Sequence, residues 1–343
     1  MKKFWIGMAA LVMLALCGAA PAADRSQQLV VYSNSVSEGR GDWLKEKAAE
    51  AGFNLAIVDL GGSALTERLI AEKNNPMCDV FFGLNGISYV RLTRHDLMIP
   101  YVPSWASKVD TSLGSPDGLY HPIVLQPLVL IYSTDVYDSA SAPKDWVQLG
   151  EEARFKGKHT ILNFGGSTCQ TILASILHRY RDDAGEYGVS KEGWEAVRKY
   201  VETGHVAAQQ EDFFGNVVKG TIPVSQLWGS GLLQRYEELG VTNVDYAAPE
   251  VGSPFIVEQI AICKGTKKIE LAKEFIDWFG DAPLQAAWAE RFGTVPAHPE
   301  ARASTSERAQ EMLRRLKPQP LDWAFIADHV EHWMEKIQLE YVQ

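Results

Sequence analysis

The chain has 343 residues, 46% of them apolar and ten of them Trp, and carries a formal charge of −10. Removing Lys2 and Lys3 with a leader that holds no acid makes the charge −12. Such a chain is globular and repels nucleic acid and anionic lipid surfaces, which excludes both as partners.

At the N-terminus, Lys2 and Lys3 precede an almost wholly apolar run over 4–19, and Ala20-Pro21-Ala22 supplies small residues where signal peptidase cuts. This pattern predicts a signal peptide over 1–22, cleaved after Ala22 or Ala23, and export of the remainder to the periplasm. The rival reading is a lipoprotein acylated at Cys17, against which Leu16 stands where a small residue is expected. Beyond the leader, no stretch approaches the ~20 apolar residues of a membrane-spanning helix.

The remaining ~320 residues suffice for two lobes of ordinary domain size. Strand-like LVVYS (29–33) is followed by an amphipathic helix over 41–51, NLAIVDL (54–60) by a helix over 64–74, and DVFFGL (79–84) by a helix over 86–94. This alternation predicts a parallel sheet flanked by helices. After a Pro- and Ser-rich loop over 100–122, a long strand over 122–133 restarts the pattern. KHTILNF (158–164) reads as a strand, followed by helices over 168–182 and 191–203. Further strands fall near 205–208 and within 221–228 and 242–248. SPFIVEQIAICKG (253–265) is again long and apolar, and helices finish the chain. The expected fold is α/β, with two lobes joined by two crossing strands and a ligand cleft between them. The first lobe comprises 24–124 and 258–343, and the second 125–257.

The clearest chemical signal is a repeated turn. Gly61-Gly62-Ser63 and Gly165-Gly166-Ser167-Thr168 each follow a strand and open a helix. Free amide N–H groups in a helix's first turn attract an anion, and a hydroxyl adds a donor. The plainer reading is that these residues turn and cap the chain. The loop from Ser33 to Gly39, with Ser35 and Ser37, has the same strand-to-helix setting. Glu211 and Asp212 open another helix, either as caps or as acceptors for a ligand. Trp228 precedes Gly229-Ser230-Gly231, as core or as a cleft-rim ring. Glu258 interrupts an apolar crossing strand, where an acid is costly unless paired.

Cys78, Cys169 and Cys263 form neither a disulfide framework nor a zinc pattern, leaving a Cys78–Cys263 bridge and buried free thiols as alternatives. No GxSxG, GxxxxGK[ST] or HExxH occurs, and His329 and His332 share a C-terminal helix without a metal-ligand pattern. Arg40-Gly41-Asp42 reads as a loop tripeptide. The expectation is a binding protein without cofactor, metal or catalysis, acting as a monomer.

LVVYS, DVFFG (79–83), the run from Asp135 to Ala142-Pro143-Lys144-Asp145-Trp146, Phe155-Lys156-Gly157-Lys158 and Phe292-Gly293-Thr294-Val295-Pro296 resemble, in order, the landmarks of class-1 extracellular solute-binding proteins. That group includes ferric-ion, polyamine and phosphonate binders of ABC importers. The resemblance implies the type II periplasmic binding fold, hinge closure on a small solute, and an importer permease as partner. Ferric-ion members carry adjacent tyrosines in the segment matching 224–236; here it reads VSQLWGSGLLQRY, with only Tyr236. The chain looks more like the branch that binds hexose phosphates. That likeness implies phosphate held by Ser35, Ser37, Ser63, Ser167 and Thr168, with Glu211, Asp212 and Glu258 facing sugar hydroxyls. An aminoalkylphosphonate binder, a ferric-ion binder and a secreted hydrolase are the alternatives.

Overall fold

Alternation along the first strands builds the first lobe. The computed structural model describes residues 23–342, so the expected leader and Cys17 lie outside the described residues. The chain runs β1 (Gln28–Ser33), α1 (Arg40–Glu50), β2 (Asn54–Asp59), α2 (Gly62–Ala71), β3 (Val80–Gly83), α3 (Gly86–Arg94) and β4 (Met98–Ile99). β1 lies between β2 and β3, parallel to both, with Val31 opposite Ile57 and Val80. Successive residues face opposite sides of the sheet. Val31, Val80 and Phe82 therefore pack into one apolar layer, while Tyr32 and Phe81 enter another with Leu65 and Tyr89.

β5 (His121–Ser133) and, later, β11 (Phe255–Cys263) are the expected long strands. They pair antiparallel from His121 to Pro127, and β11 continues against β3. From Leu128 onward β5 changes partners, taking β9 on one side and β10 on the other. The result is one twisted sheet, β10-β5-β11-β3-β1-β2, shared by two lobes, with a β-bulge between Glu258 and Gln259 in the crossing region.

The second lobe contains α4 (Trp146–Glu151), β6 (Thr160–Ile161), α5 (Ser167–His178), β7 (Arg181–Glu186), α6 (Lys191–Glu202), β8 (His205–Val206), α7 (Phe213–Lys219), β9 (Val224–Trp228), α8 (Gly229–Leu239) and β10 (Val244–Tyr246). Trp146, Phe155, Leu173 and Tyr200 form its buried centre. The helix expected over 168–182 stops at His178. Its apolar periodicity ends at Leu177, and the exposed 181–186 segment folds back through a turn at Tyr187-Gly188, both in left-handed conformation.

α9 (Ile269–Gly280) and α10 (Ala282–Phe292) return to the first lobe, where Phe275, Phe279 and Trp288 cover the sheet. α11 (Pro299–Arg302) follows, then α12 (Glu307–Arg315) and α13 (Trp323–Glu340). These last two helices were expected with the first lobe, and their packing differs. Met312 of α12 sits among Val129, Leu227 and Leu233. The stripe Phe325, Ile326, Val330, Trp333 and Ile337 of α13 enters the second lobe's core beside Ile172 and Ile176. An amphipathic helix is placed by the apolar surface left open to it, and here that surface is on α5. The outer side of α13 meets α3 of the first lobe through Arg91–Glu331 (3.0 Å) and Arg94–Asp328 (2.6 Å).

Candidate ligand cavity between the lobes

A cavity of about 250 Å3 lies where the carboxyl ends of β1 and β3 meet the first turns of α5 and α8. Ligands in open α/β sheets bind outside those strand ends. From the first lobe it is lined by Asn34, Ser35, Ser37, Arg40, Gly62 and Glu258, and from the second by Ser167, Thr168, Trp228 and Ser230.

The loop after β1 is held by its own polar groups. Asn34 Oδ1 accepts from the Leu84 amide at 2.6 Å, and Ser33 Oγ accepts from the Ser35 amide at 2.9 Å. Gly83 makes this packing feasible. Its φ is +90°, and a Cβ there would lie 2.6 Å from Ser35 Oγ. Leu84 and Glu38 are left-handed without being glycine (φ 57° and 55°), so strained backbone flanks the cavity.

Four helices reach the cavity with their first turns: α1, α2, α5 and α8. Their N-cap residues Gly39, Gly61, Gly166 and Trp228 make no side-chain cap. Elsewhere Asn85, Asp145, Ser190, Asp212, Asp281, Ser306 and Asp322 cap α3, α4, α6, α7, α10, α12 and α13, leaving α9 and the four-residue α11 as the other uncapped cases. The first turns of α2 and α5 thus keep amide donors free of side-chain caps, and the dipoles add a positive potential, whereas in α1 the Arg40 and Gly41 amides donate to Ser37 O (3.2 Å) and Val36 O (2.8 Å). In the α8 turn, the Ser230 amide is taken by Gln126 Oε1 (2.9 Å), while Gln126 Nε2 donates to Ser230 Oγ (2.8 Å).

Arg40 supplies full charge. Its side chain is buried; Nη1 donates to Glu38 Oε2 at 2.9 Å and Nη2 to Gln234 Oε1 of the second lobe at 3.2 Å. The sequence offered a signal for it. A cation in a helix's first turn opposes the dipole, so Arg40 at the start of α1 requires another partner. Asn34, Gln126, Ser230 and Thr294 were also not singled out; nothing local distinguishes them from ordinary polar residues.

The lobes touch directly beside the cavity. A Cβ on Gly62 would lie 2.4 Å from Ser167 Oγ, and Ser63 Oγ donates to the Gly165 carbonyl at 3.2 Å. The two glycine-serine turns therefore meet face to face. Thr168 lines the cavity, Ser167 lines both the cavity and a neighbouring groove, and Ser63 lines that groove, with Arg91 and Met334, but not the cavity. Ser63→Ala is expected to weaken ligand binding by less than ~1 kcal/mol, one exposed neutral hydrogen bond, whereas Ser167→Ala should cost ~1.5–3 kcal/mol if its hydroxyl meets a charged group. Calorimetry on the two variants separates a lobe-to-lobe contact from a ligand contact.

Two acids expected near the ligand are engaged within the second lobe. Glu211 accepts from His205 Nε2 (2.9 Å), the Ala208 amide (2.9 Å) and Asn216 Nδ2 (2.8 Å), and the His205 bond first, then the amide, holds its carboxyl below the usual range. It borders a neighbouring depression across Trp228. Asp212 accepts from the Gly215 amide at 2.9 Å and caps α7, the plainer of the two sequence readings. Trp228 is half-buried between cavity and depression, with the Arg235 guanidinium 5.6 Å from its ring centroid.

Glu258 does face the cavity. Desolvation raises its carboxyl above the usual range, opposed by Ser35, the Arg40 charge and Gln126. A raised folded-state pKa gives stability that is fully present below the unfolded value, about 4.3, and is lost as pH rises through the folded value. Glu258→Gln should therefore raise Tm relative to wild type at neutral pH, with the difference shrinking toward pH 4. A pH series of thermal melts checks this.

His329 and His332 lie outside the cavity, His329 with Nδ1 2.9 Å from Phe325 O and His332 stacked on Tyr187. Among the described residues no three His, Cys, Asp or Glu side chains gather as a metal cage, and no helix is long and apolar enough to cross a membrane.

Residues 47–312 match the family model described as bacterial extracellular solute-binding protein. The chain belongs to that family. A probable ABC transporter periplasmic-binding protein, y4fP of Sinorhizobium fredii, is 36% identical over 315 residues, 92% of this chain and 87% of that one. Among solved structures, iron-bound HitA of Pseudomonas aeruginosa superposes with a TM-score of 0.78 at 16% identity, covering 90% of this chain and 99% of its own. AfuA of Actinobacillus pleuropneumoniae with bound fructose 6-phosphate gives 0.73 at 16% identity, covering 92% and 98%. These structures establish the two-lobed periplasmic binding fold. As a family member, the protein is a periplasmic solute-binding component of an ABC importer, a non-enzymatic transport role in which ligand is delivered to a membrane permease.

Proposed function

We propose that this solute-binding protein captures a small phosphorylated organic anion, best a hexose phosphate, by closing its lobes around it. The observation that carries this reading is the Arg40 guanidinium at the wall of a cavity onto which four helix N-termini open. In a chain of net charge −10, overall charge cannot attract an anion. A buried guanidinium and free amides create the local exception, and both suit phosphate geometry. A cavity of about 250 Å3 is of monosaccharide size, and a neighbour of the same fold holds fructose 6-phosphate. Glu258, at the cavity wall, suits hydroxyl partners on the remainder of the ligand.

An aminoalkylphosphonate would use the same anion wall and set its ammonium against Glu258. Ferric iron requires hard phenolate or carboxylate oxygens. Tyr236 does not offer one: its hydroxyl donates to Val244 O at 2.9 Å, and burial pushes it above the usual phenol range.

Calorimetry with fructose 6-phosphate, fructose, 2-aminoethylphosphonate and ferric citrate tests the proposal. The sugar phosphate should bind at least ~100-fold more tightly than the free sugar, the equivalent of about 2.7 kcal/mol. Ferric citrate should give no charge-transfer band. Equal affinity for fructose and its phosphate, or a stoichiometric iron band that vanishes in Tyr236→Phe, would overturn it.

A further inference from the structure

The first lobe holds a pair of thiols that the ligand cavity does not use. Cys78 lies two residues before β3, and Cys263 ends β11. These strands run antiparallel with Val80 opposite Ile262, and the Cys263 amide donates to Asp79 O at 2.9 Å. The ends of these strands bring both side chains into one apolar cluster with Tyr32, Phe81, Leu97 and Met98, where Cys78 is 1% and Cys263 4% exposed. Both are free thiols; the Cys78 thiol donates to Val80 O at 3.1 Å, and the Cys263 thiol is near enough to push it up. Cys169 is separate, in the second lobe's core.

We infer that Cys78 and Cys263 form an intrachain disulfide when the protein folds in the oxidising periplasm. Three observations converge: the two thiols share one buried cluster, the residue after Cys78 is hydrogen-bonded to Cys263 through the backbone, and the family works in a compartment where disulfides persist. The oxidant is the catalytic disulfide of a periplasmic thiol oxidoreductase. One cysteine thiolate attacks it, forming a mixed disulfide and releasing one oxidoreductase thiolate. The second cysteine thiolate then attacks the mixed disulfide, closes the intrachain bond and releases the other. The substrate loses two electrons and two protons, and the oxidoreductase gains a dithiol.

Burial dictates when this happens. It raises the Cys78 thiol well above its usual range, so the folded, reduced lobe holds little thiolate and no route for a macromolecular oxidant. The bond therefore forms during folding, before β11 docks on β3. It closes a loop of roughly 185 residues, in the range where the constraint on the unfolded chain is large. Both cysteines belong to the first lobe, Cys78 at the end of β3 remote from the cavity-lining Leu84, so the bond crosses no hinge. It stabilises the lobe without altering ligand affinity.

The test uses protein purified from the periplasm, denatured in an alkylating agent, and mapped by mass spectrometry without reduction. Among Cys78, Cys169 and Cys263, only Cys169 should be alkylated. One cross-linked peptide pair should join Cys78 to Cys263, with an intact mass about 2 Da below the reduced chain. The oxidised protein should melt roughly 5 °C or more above protein refolded under reductant, with unchanged affinity for its sugar phosphate. Should that affinity be absent from both forms, the ligand assignment fails and the peptide map still stands. Alkylation of all three cysteines, or a bridge to Cys169, overturns the inference. The map is read on wild-type protein, so it does not depend on whether a Cys78→Ala/Cys263→Ala variant folds.

Discussion

Arg40→Ala is expected to lower affinity for a sugar phosphate by about two orders of magnitude, near 3 kcal/mol, the scale of removing one member of a buried charge-assisted pair. Arg40 lies in the cavity wall, and its side chain is 7% exposed. Its guanidinium is only partly occupied by Glu38 and Gln234, which leaves donors for a ligand oxyanion. Arg40→Lys should recover part of the loss, because the charge remains while the planar fork does not. Arg40 also touches the second lobe, so weaker binding could reflect lost lobe contact instead of lost charge. Gln234→Ala separates the two, since it removes that contact and keeps the guanidinium, and it should cost less than about tenfold. Affinity for the unphosphorylated sugar, weak already, should hardly respond to Arg40→Ala. If calorimetry shows equal losses for Arg40→Ala and Gln234→Ala, Arg40 serves closure and the anion site lies elsewhere.

What the sequence made legible follows from the range of the forces involved. The β1–α1–β2–α2–β3–α3 succession is written in local periodicity, and the structure places each of those elements within a few residues of expectation. The glycine-serine turns were likewise local, and both open helices at the lobe interface. Direction around a helix was harder to read. Successive helical residues are rotated by roughly 100°, so naming a turn does not say which side chain faces the ligand. Ser63, the second residue of α2, reaches only the neighbouring groove, whereas Ser167, the first of α5, reaches both that groove and the cavity. Glu211 and Asp212 could cap or bind, and their own lobe supplies His205, Asn216 and the Gly215 amide as partners. Arg40 depends on Gln234, which arrives 194 positions later and which no periodicity announces. The stripe of α13 shows that the helix packs; the choice of lobe depends on the open apolar face of α5, a tertiary fact.

Gly62 is where these threads combine into a test of closure itself. Gly62→Val should leave the fold intact, because Gly62 is not among the left-handed residues and opens α2 in ordinary helical geometry. The obstacle lies across the cleft. A Cβ would stand 2.4 Å from Ser167 Oγ of the second lobe, so the lobes could not approach as they do; its 3.3 Å contact with Asn34 Nδ2 lies within the first lobe. Overfilling a close-packed contact costs about 1–3 kcal/mol, and the share due to Ser167, the closer contact, applies to the closed arrangement alone. A ligand drives closure only by its differential affinity for the two states, so binding should weaken roughly 5- to 150-fold. Gly62→Ala should fall between, since the Ser167 hydroxyl can rotate away from a single methyl. Small-angle scattering gives the second readout: wild type should contract on saturation with sugar phosphate, and Gly62→Val should keep its unliganded radius. A valine variant that binds and contracts like wild type would show that the two turns do not meet in the liganded protein. The cavity would then be wider than the one formed here, and the ligand class would have to be drawn from larger anions.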